Sequence, residues 1–324
     1  MDKKLSEAAR EVARARKQLG TARRKLARYS RAGTSPHSVL TGEWKRADEI
    51  LSARRKWLLA QPGVVGVGLG HRHRAGIERT EEVCVTVFVD KKLSDAELRR
   101  EKRKPLPSRI TAKGQRIAID VIKLGKPTPH GANDVIGSIG HKSPAENTGT
   151  IGAIAIDLAT KERVLLTAGH VAKQSGEEMT VPSTEDGSAV SPGEALMVIR
   201  SVVDAAKIRM AHIGAVAPFL PPGTVAGWRP VSDDVNTVVR MYGRTSHGQS
   251  GVIKFVNADV YDFKDTLLVH IQTDEGDSGA AILDNANLVL GFLFGLAPAD
   301  LGDFRVFCPA SLVLERLGCD IKPN

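Results

Sequence analysis

Apolar positions along this chain keep three different rhythms. Leu5, Val12, Leu19 and Leu26 recur every seventh residue, with Ala8, Ala15, Ala22 and Tyr29 at a second heptad position. That repeat predicts a helix whose apolar stripe faces a partner. Gly33-Thr34-Ser35-Pro36 ends it, since both glycine and proline interrupt helices. From about Thr41 to Ala60 a second helical pattern sets Trp44, Ala47, Leu51 and Leu58 on one side. Residues 1–60 are therefore expected to form a helical hairpin, the second helix covering the seam of the first.

After Gln61-Pro62-Gly63 the period drops to two. Val64–Gly70 and Val83–Val89 read as strands, and Ser94-Asp95-Ala96-Glu97 is a capping box that opens a helix to about Lys102,. Pro105 and Pro107 end it, and Ile117–Leu124 reads as a third strand, so 61–125 is expected to be a small β-β-α-β unit. The glycines of Val64–Gly70 lack the Lys-Ser/Thr of a phosphate loop and no helix follows them, so they are assigned to packing,. Residues 126–148 turn rich in Pro, Gly, Ser and His and read as a linker,.

From Gly149 the third rhythm begins. Short β-rich runs (Ile151–Ile156, Val164–Thr167, Ala195–Val203, Val238–Met241, Val252–Phe255, Leu267–Gln272, Ala280–Leu283 and Leu288–Phe294) are divided by turns about every ten residues,. Pro309–Leu317 reads as a closing helix. The fold class is mainly β with an α-helical N-terminal arm, and 149–324 is an antiparallel barrel or sandwich domain.

Charge divides the chain differently. Residues 1–125 hold 30 Lys and Arg against 14 Asp and Glu, and residues 126–324 hold the remaining 16 against 23; +16 and −7 give the net +9. A basic arm on an acidic body implies separate roles. The basic face of residues 1–60 is expected to be solvated or to contact protein, with a second copy or a partner protein open as the contact. Nucleic acid is disfavoured there because no stacking aromatics are interleaved. No apolar run is long enough to span a membrane,. The charged start predicts no secretory leader. Cys84, Cys308 and Cys319 are too few and too odd for a disulfide framework, which points to an intracellular, cytoplasmic setting and buried inert thiols. His130 and His141 stand without ligand-spaced partners, so no metal and no other cofactor is expected.

Two short stretches carry chemistry. Glu275-Gly276-Asp277-Ser278-Gly279-Ala280 sets a serine between glycines on a tight turn, where backbone N–H groups are left free to bind an oxyanion. Leu165-Leu166-Thr167-Ala168-Gly169-His170 delivers a histidine from a strand end. A serine hydroxyl is a weak nucleophile until an imidazole takes its proton and a carboxylate orients that imidazole.

Together, Thr167-Ala168-Gly169-His170 and Gly276-Asp277-Ser278-Gly279 resemble the histidine and serine motifs of trypsin-like (chymotrypsin-fold) serine proteases, in the same chain order,. Gly149-Thr150-Ile151-Gly152-Ala153-Ile154 and Gly243-Arg244-Thr245-Ser246-His247-Gly248 resemble segments of the bacterial members, and Val64–Leu124 resembles a segment upstream of the protease domain in some bacterial members and in plant narrow-leaf type proteases. The resemblance implies two packed β-barrels with the site between them, and hydrolysis of a protein or peptide substrate. It implies Ser278 as nucleophile, His170 as base and then acid, and Asp204 of Val202-Val203-Asp204-Ala205-Ala206 as the orienting carboxylate; Asp233 and Asp234 are its rivals. Gly276 and Ser278 would supply the oxyanion-hole N–H groups. Gln272, where trypsin carries the aspartate that selects basic residues, and Phe292, Leu293 and Phe294 of the substrate-pairing strand would meet substrate; the alternation of the two phenylalanines alone assigns them to the core. Lys207 departs from the apolar residue the pattern would place there. The alternative reading is an inactive protease-fold scaffold that works through its basic arm.

Overall fold

A computed structural model describes residues 40–128, 137–141, 148–182, 191–213 and 225–322. The heptad helix expected over 1–31 lies outside the described residues, as does His130.

The described chain opens with helix α1 (Gly42–Leu59), then strands β1 (Val64–Arg74) and β2 (Ile77–Val89), the short helix α2 (Asp95–Arg100), and strands β3 (Arg109–Ala112) and β4 (Gln115–Lys123). Next come β5 (Ser138–His141), β6 (Thr148–Thr150), β7 (Ala153–Asp157), β8 (Arg163–Thr167), the single turn α3 (Gly169–Ala172), β9 (Glu178–Val181), β10 (Ser191–Ser201) and β11 (Val203–Met210). The remainder is β12 (Gly227–Trp228), β13 (Val238–Gly243), β14 (His247–Val260), β15 (Phe263–His270), β16 (Ala281–Leu283), β17 (Leu288–Ala297), β18 (Phe304–Pro309), helix α4 (Ala310–Leu317) and β19 (Cys319–Asp320).

These strands make two barrels. The first follows the order β19-β7-β8-β11-β10-β9-β5-β6. It encloses Ile139, Ile151, Leu165, Val171, Met179 and Ile208. In the second, β13-β16-β17-β18-β15-β14 closes on itself because β13 also pairs with β14, around Val239, Ile253, Val269, Ile282, Leu290 and Phe307. A third apolar cluster draws on both barrels, with Ala155, Leu166, Ala205, Phe255, Phe292 and residues of α4. Burying that much apolar surface at about 25 cal/mol per Å² fixes one barrel against the other. The mainly β, two-barrel architecture with an N-terminal helix is thus the one the strand spacing and the resemblance predict.

The 61–125 unit differs from the expected pattern in two ways. It has four strands, the extra one being β3, paired with β4 through Ile110 and Ile117. It is also continuous with the second barrel, since β1 runs antiparallel to β14. The glycines of β1 are where that crossing is tight: a Cβ on Gly70 would fall 2.3 Å from the Phe255 ring. The helix expected to pair with α1 lies outside the described residues. Within them, Ala47, Ile50, Leu51 and Leu58 of α1 are buried together with Val67, Leu69, Val85 and Val87 of the sheet.

Lys207 keeps its place in the barrel by pairing. It is 7% exposed, and its Nζ lies 2.5 Å from Oδ2 of Asp157 at the end of β7, itself 4% exposed. Hydrogen bonding from Lys207 holds the Asp157 carboxyl below its ordinary range, against the opposing effect of burial. A carboxyl titrating lower when folded adds stability that is fully present above about pH 4 and is lost as the pH falls from there through the carboxyl's lower folded value. Lys207→Met removes the cation from a buried carboxylate that keeps only the Ala159 and Thr160 N–H groups, and is expected to cost about 3 kcal/mol near pH 7. The gap from the wild type should narrow below about pH 4, where Asp157 of the variant becomes neutral; denaturant unfolding at both pH values measures it.

Candidate active site

The histidine and the aspartate come from neighbouring strands of the first barrel. β8 and β11 pair with Ala206 opposite Thr167, which brings Asp204, two residues before Ala206, level with the turn two residues beyond Thr167. There the chain leaves β8 and makes the turn α3. The backbone N–H of His170 donates to Asp204 Oδ1 at 2.8 Å, and His170 Nδ1 lies 2.7 Å from Asp204 Oδ2. Both residues are buried. The Asp204 N–H in turn donates to Cys308 Sγ at 3.3 Å, a contact that reaches from β11 to β18 of the other barrel. Burial pushes the Cys308 thiol up, so this sulfur remains protonated and serves as an acceptor,.

The serine turn comes from the second barrel, between β15 and β16. Asp277 is fully buried and its carboxylate organises that turn: Oδ1 accepts from the N–H groups of Thr245 and Ser246 at 3.0 and 3.1 Å, and Oδ2 from Asp274 N–H at 2.8 Å. Gly243 makes room for it, because a Cβ there would stand 2.1 Å from Asp277 Oδ1. The Gly243-Arg244-Thr245 segment therefore forms the wall behind the serine.

Thr150 clasps the two turns together. Its N–H donates to the Ser278 carbonyl at 2.7 Å and its hydroxyl to the Gly276 carbonyl at 2.8 Å. Its own carbonyl accepts from Thr167 Oγ1 at 2.9 Å, and its hydroxyl oxygen accepts from Arg244 N–H at 3.0 Å. An ideal Cβ on Gly279 would be 2.9 Å from the Ala168 nitrogen, so the residue after Ser278 abuts the residue two before His170. In the sequence Thr150 reads only as part of a strand. Its signal was a lone polar side chain in a run of glycine and isoleucine. Thr150→Val keeps the shape and removes the hydroxyl; we expect a loss of kcat on the order of 10²-fold with KM little changed, measured on one peptide substrate.

The remaining candidates sort themselves by contact. Asp234 is held by Arg229, with contacts of 2.8 and 2.9 Å, and the Arg229 Nε also donates to Asp284 at 2.7 Å. Burial alone would raise the Asp234 carboxyl, but the bonds and charge of Arg229 outweigh it and keep it below the ordinary range. Asp233 accepts from the backbone N–H and hydroxyl of Thr41. Neither rival touches His170 in these contacts. Gln272 is exposed. Phe292, Leu293 and Phe294 are buried at 1–3% exposure, with the Phe294 ring 4.2 Å from that of Phe263. Their side chains pack inward, so it is main chain that this strand offers: Gly279 N–H donates to the Leu293 carbonyl at 2.7 Å and Leu293 N–H to the Ala280 carbonyl at 2.9 Å. Among the described residues no group of three or more His, Cys, Asp or Glu side chains converges as a metal site would.

No protein-family model matches the chain, and no curated protein does. Solved structures resemble it in architecture. Thermobifida fusca protease A is 17% identical over 60% of this chain and 100% of its own, with a TM-score of 0.46. Nocardiopsis protease is 16% identical over 59% and 100%, with a TM-score of 0.44. Cellulomonas bogoriensis chymotrypsin is 18% identical over 60% and 100%, with a TM-score of 0.43. None of these three is a plant protease, and the plant-type likeness expected of 64–124 is not shown. At such identity the likeness does not say which residues act. The three are named as proteases, and nothing about this chain is concluded from the likeness.

Proposed function

We propose that this chain is a serine endopeptidase acting through Ser278, His170 and Asp204. The observation that carries the reading is the 2.7 Å contact from His170 Nδ1 to Asp204 Oδ2, beside a serine turn clasped to the histidine turn by Thr150. With Nδ1–H donating to the carboxylate, Nε2 is left as the basic nitrogen. His170 takes the Ser278 proton as Oγ attacks a peptide carbonyl, then returns it to the leaving amine. Water, activated by the same imidazole, releases the acyl group. Asp204 holds the tautomer and stabilises the imidazolium.

Oxyanion stabilisation falls to the N–H groups of Gly276 and Ser278. In a trans peptide the N–H points opposite the carbonyl of the same unit. The Glu275 carbonyl accepts from the Thr245 hydroxyl, and the Asp277 carbonyl accepts from Ala280 N–H at 2.9 Å. Each carbonyl is tethered, so each opposing N–H is preset, which is what preorganised stabilisation of a developing oxyanion requires. The substrate is a protein or peptide met in the cytoplasm, and the basic residues 1–60 localise, regulate or oligomerise the enzyme.

A fluorophosphonate probe tests this reading. It should form one adduct per chain, mapping to Ser278 by mass spectrometry and lost in His170→Ala. A folded wild-type chain that takes no label would favour the inactive scaffold.

A further inference from the structure

The reactive serine lies beside one edge of β17, and that edge is already occupied by the chain itself. On its other side β17 pairs with β18, through Gly295 with Val306 and Leu296 with Arg305. On the serine side, Leu293 is bonded to Gly279 and Ala280. Beyond Leu293 the neighbour is no longer β16. Thr128 N–H donates to the Leu296 carbonyl at 2.9 Å, and Leu296 N–H donates to the Thr128 carbonyl at 3.0 Å. Gly125 N–H donates to the Pro298 carbonyl at 2.6 Å, and Leu124 bridges Ala299 antiparallel. Gly295 lets the two backbones meet, since a Cβ there would lie 2.9 Å from the Thr128 carbonyl oxygen. Residues 124–128 thus run antiparallel along β17, bridged to it at Leu124 and Thr128, in the direction of Leu293, the residue bonded to the serine turn.

An extended peptide that reaches Ser278 by strand addition needs the same donor and acceptor on Leu296. We propose that residues 125–128 are an intramolecular competitor for the substrate-pairing edge, so that a long peptide must displace them while a substrate too short to use the edge is indifferent to them. This rests on the peptidase reading above. It makes the preferred substrate an unfolded or extended segment with several residues on the acyl side of the scissile bond, because only such a segment replaces both Leu296 hydrogen bonds.

Thr128→Pro in the full chain removes the donor to Leu296 and leaves Ser278, His170 and Asp204 untouched. Loss of one net hydrogen bond to the competitor is expected to raise kcat/KM for a peptide with at least four acyl-side residues about fivefold. The rate on a p-nitrophenyl ester should not change. A peptide rate that is unchanged or lower, or an ester rate that rises equally, overturns the proposal while leaving the peptidase reading intact. Failure of both substrates with the wild type overturns both. In the unmodified protein, amide exchange at Thr128 should speed up when a tetrapeptide chloromethyl ketone occupies the site; unchanged exchange with the inhibitor bound contradicts displacement whatever the variant does.

Discussion

Ser278→Ala is expected to lower kcat on a peptide substrate by roughly 10⁴- to 10⁶-fold, with KM within a few-fold of the wild type. The reason lies in the division of labour. In the proposed mechanism the hydroxyl forms the bond that splits hydrolysis into two steps, and alanine brings no group to replace it. The residual rate over water would come from the N–H groups of Gly276 and residue 278, which the variant keeps. The fold should survive, because the contacts that hold this turn go to the backbone carbonyls of Gly276 and Ser278 and to the Asp277 carboxylate. Thermal unfolding and kinetics on the same preparation separate the two effects. A variant that unfolds normally and hydrolyses at the wild-type rate would leave the serine with no role.

Asp204→Asn should cost about 10⁴-fold in kcat. The aspartate accepts two hydrogen bonds from His170, one from the backbone N–H and one at Nδ1. Asparagine has a single carbonyl oxygen. If that oxygen keeps the backbone N–H, the amide donates toward Nδ1, and the imidazole must carry its proton on Nε2, where the serine proton should go. Glycine at 169 sharpens the constraint, since a Cβ there would sit 2.6 Å from Asp204 Oδ1 and 2.2 Å from the Ile199 carbonyl oxygen. There is little room for the variant to find another geometry. kcat and KM measured on one peptide, beside Ser278→Ala, test the tautomer argument; a loss of tenfold or less contradicts it.

How far the sequence discloses such a site depends on the range of the interaction. The histidine and serine turns are readable because each is a short contiguous motif with its own local geometry. Asp204 is legible as a candidate because two valines set it at the start of a strand, whereas the Arg229 contacts that hold Asp234 are not legible. Lys207 reads as an anomaly because its partner, Asp157, is 50 residues away on β7, and the register that joins them is long-range. The partner of α1 is hidden for a related reason: Ala47, Leu51 and Leu58 make the same apolar face whether a helix or a sheet covers it. Arg244, fully buried, and Thr150, which clasps the turns, fall in recognisable segments, but nothing local in either segment tells what these two side chains hold. The pairing of Thr128 with Leu296 is least legible of all, because a Pro- and Gly-rich stretch reads as linker even where it supplies strand hydrogen bonds.

If the proposed triad acts, the Ser278 hydroxyl on the second barrel is activated by the His170 imidazole on the first and becomes acylated. Pre-steady-state release of p-nitrophenolate from a p-nitrophenyl ester, with mass analysis of the quenched protein, tests it most directly. The account predicts a burst approaching one equivalent per chain and an acyl group on Ser278, both absent in His170→Ala. Linear release without a burst, with the acyl group on another residue or on none, would contradict it.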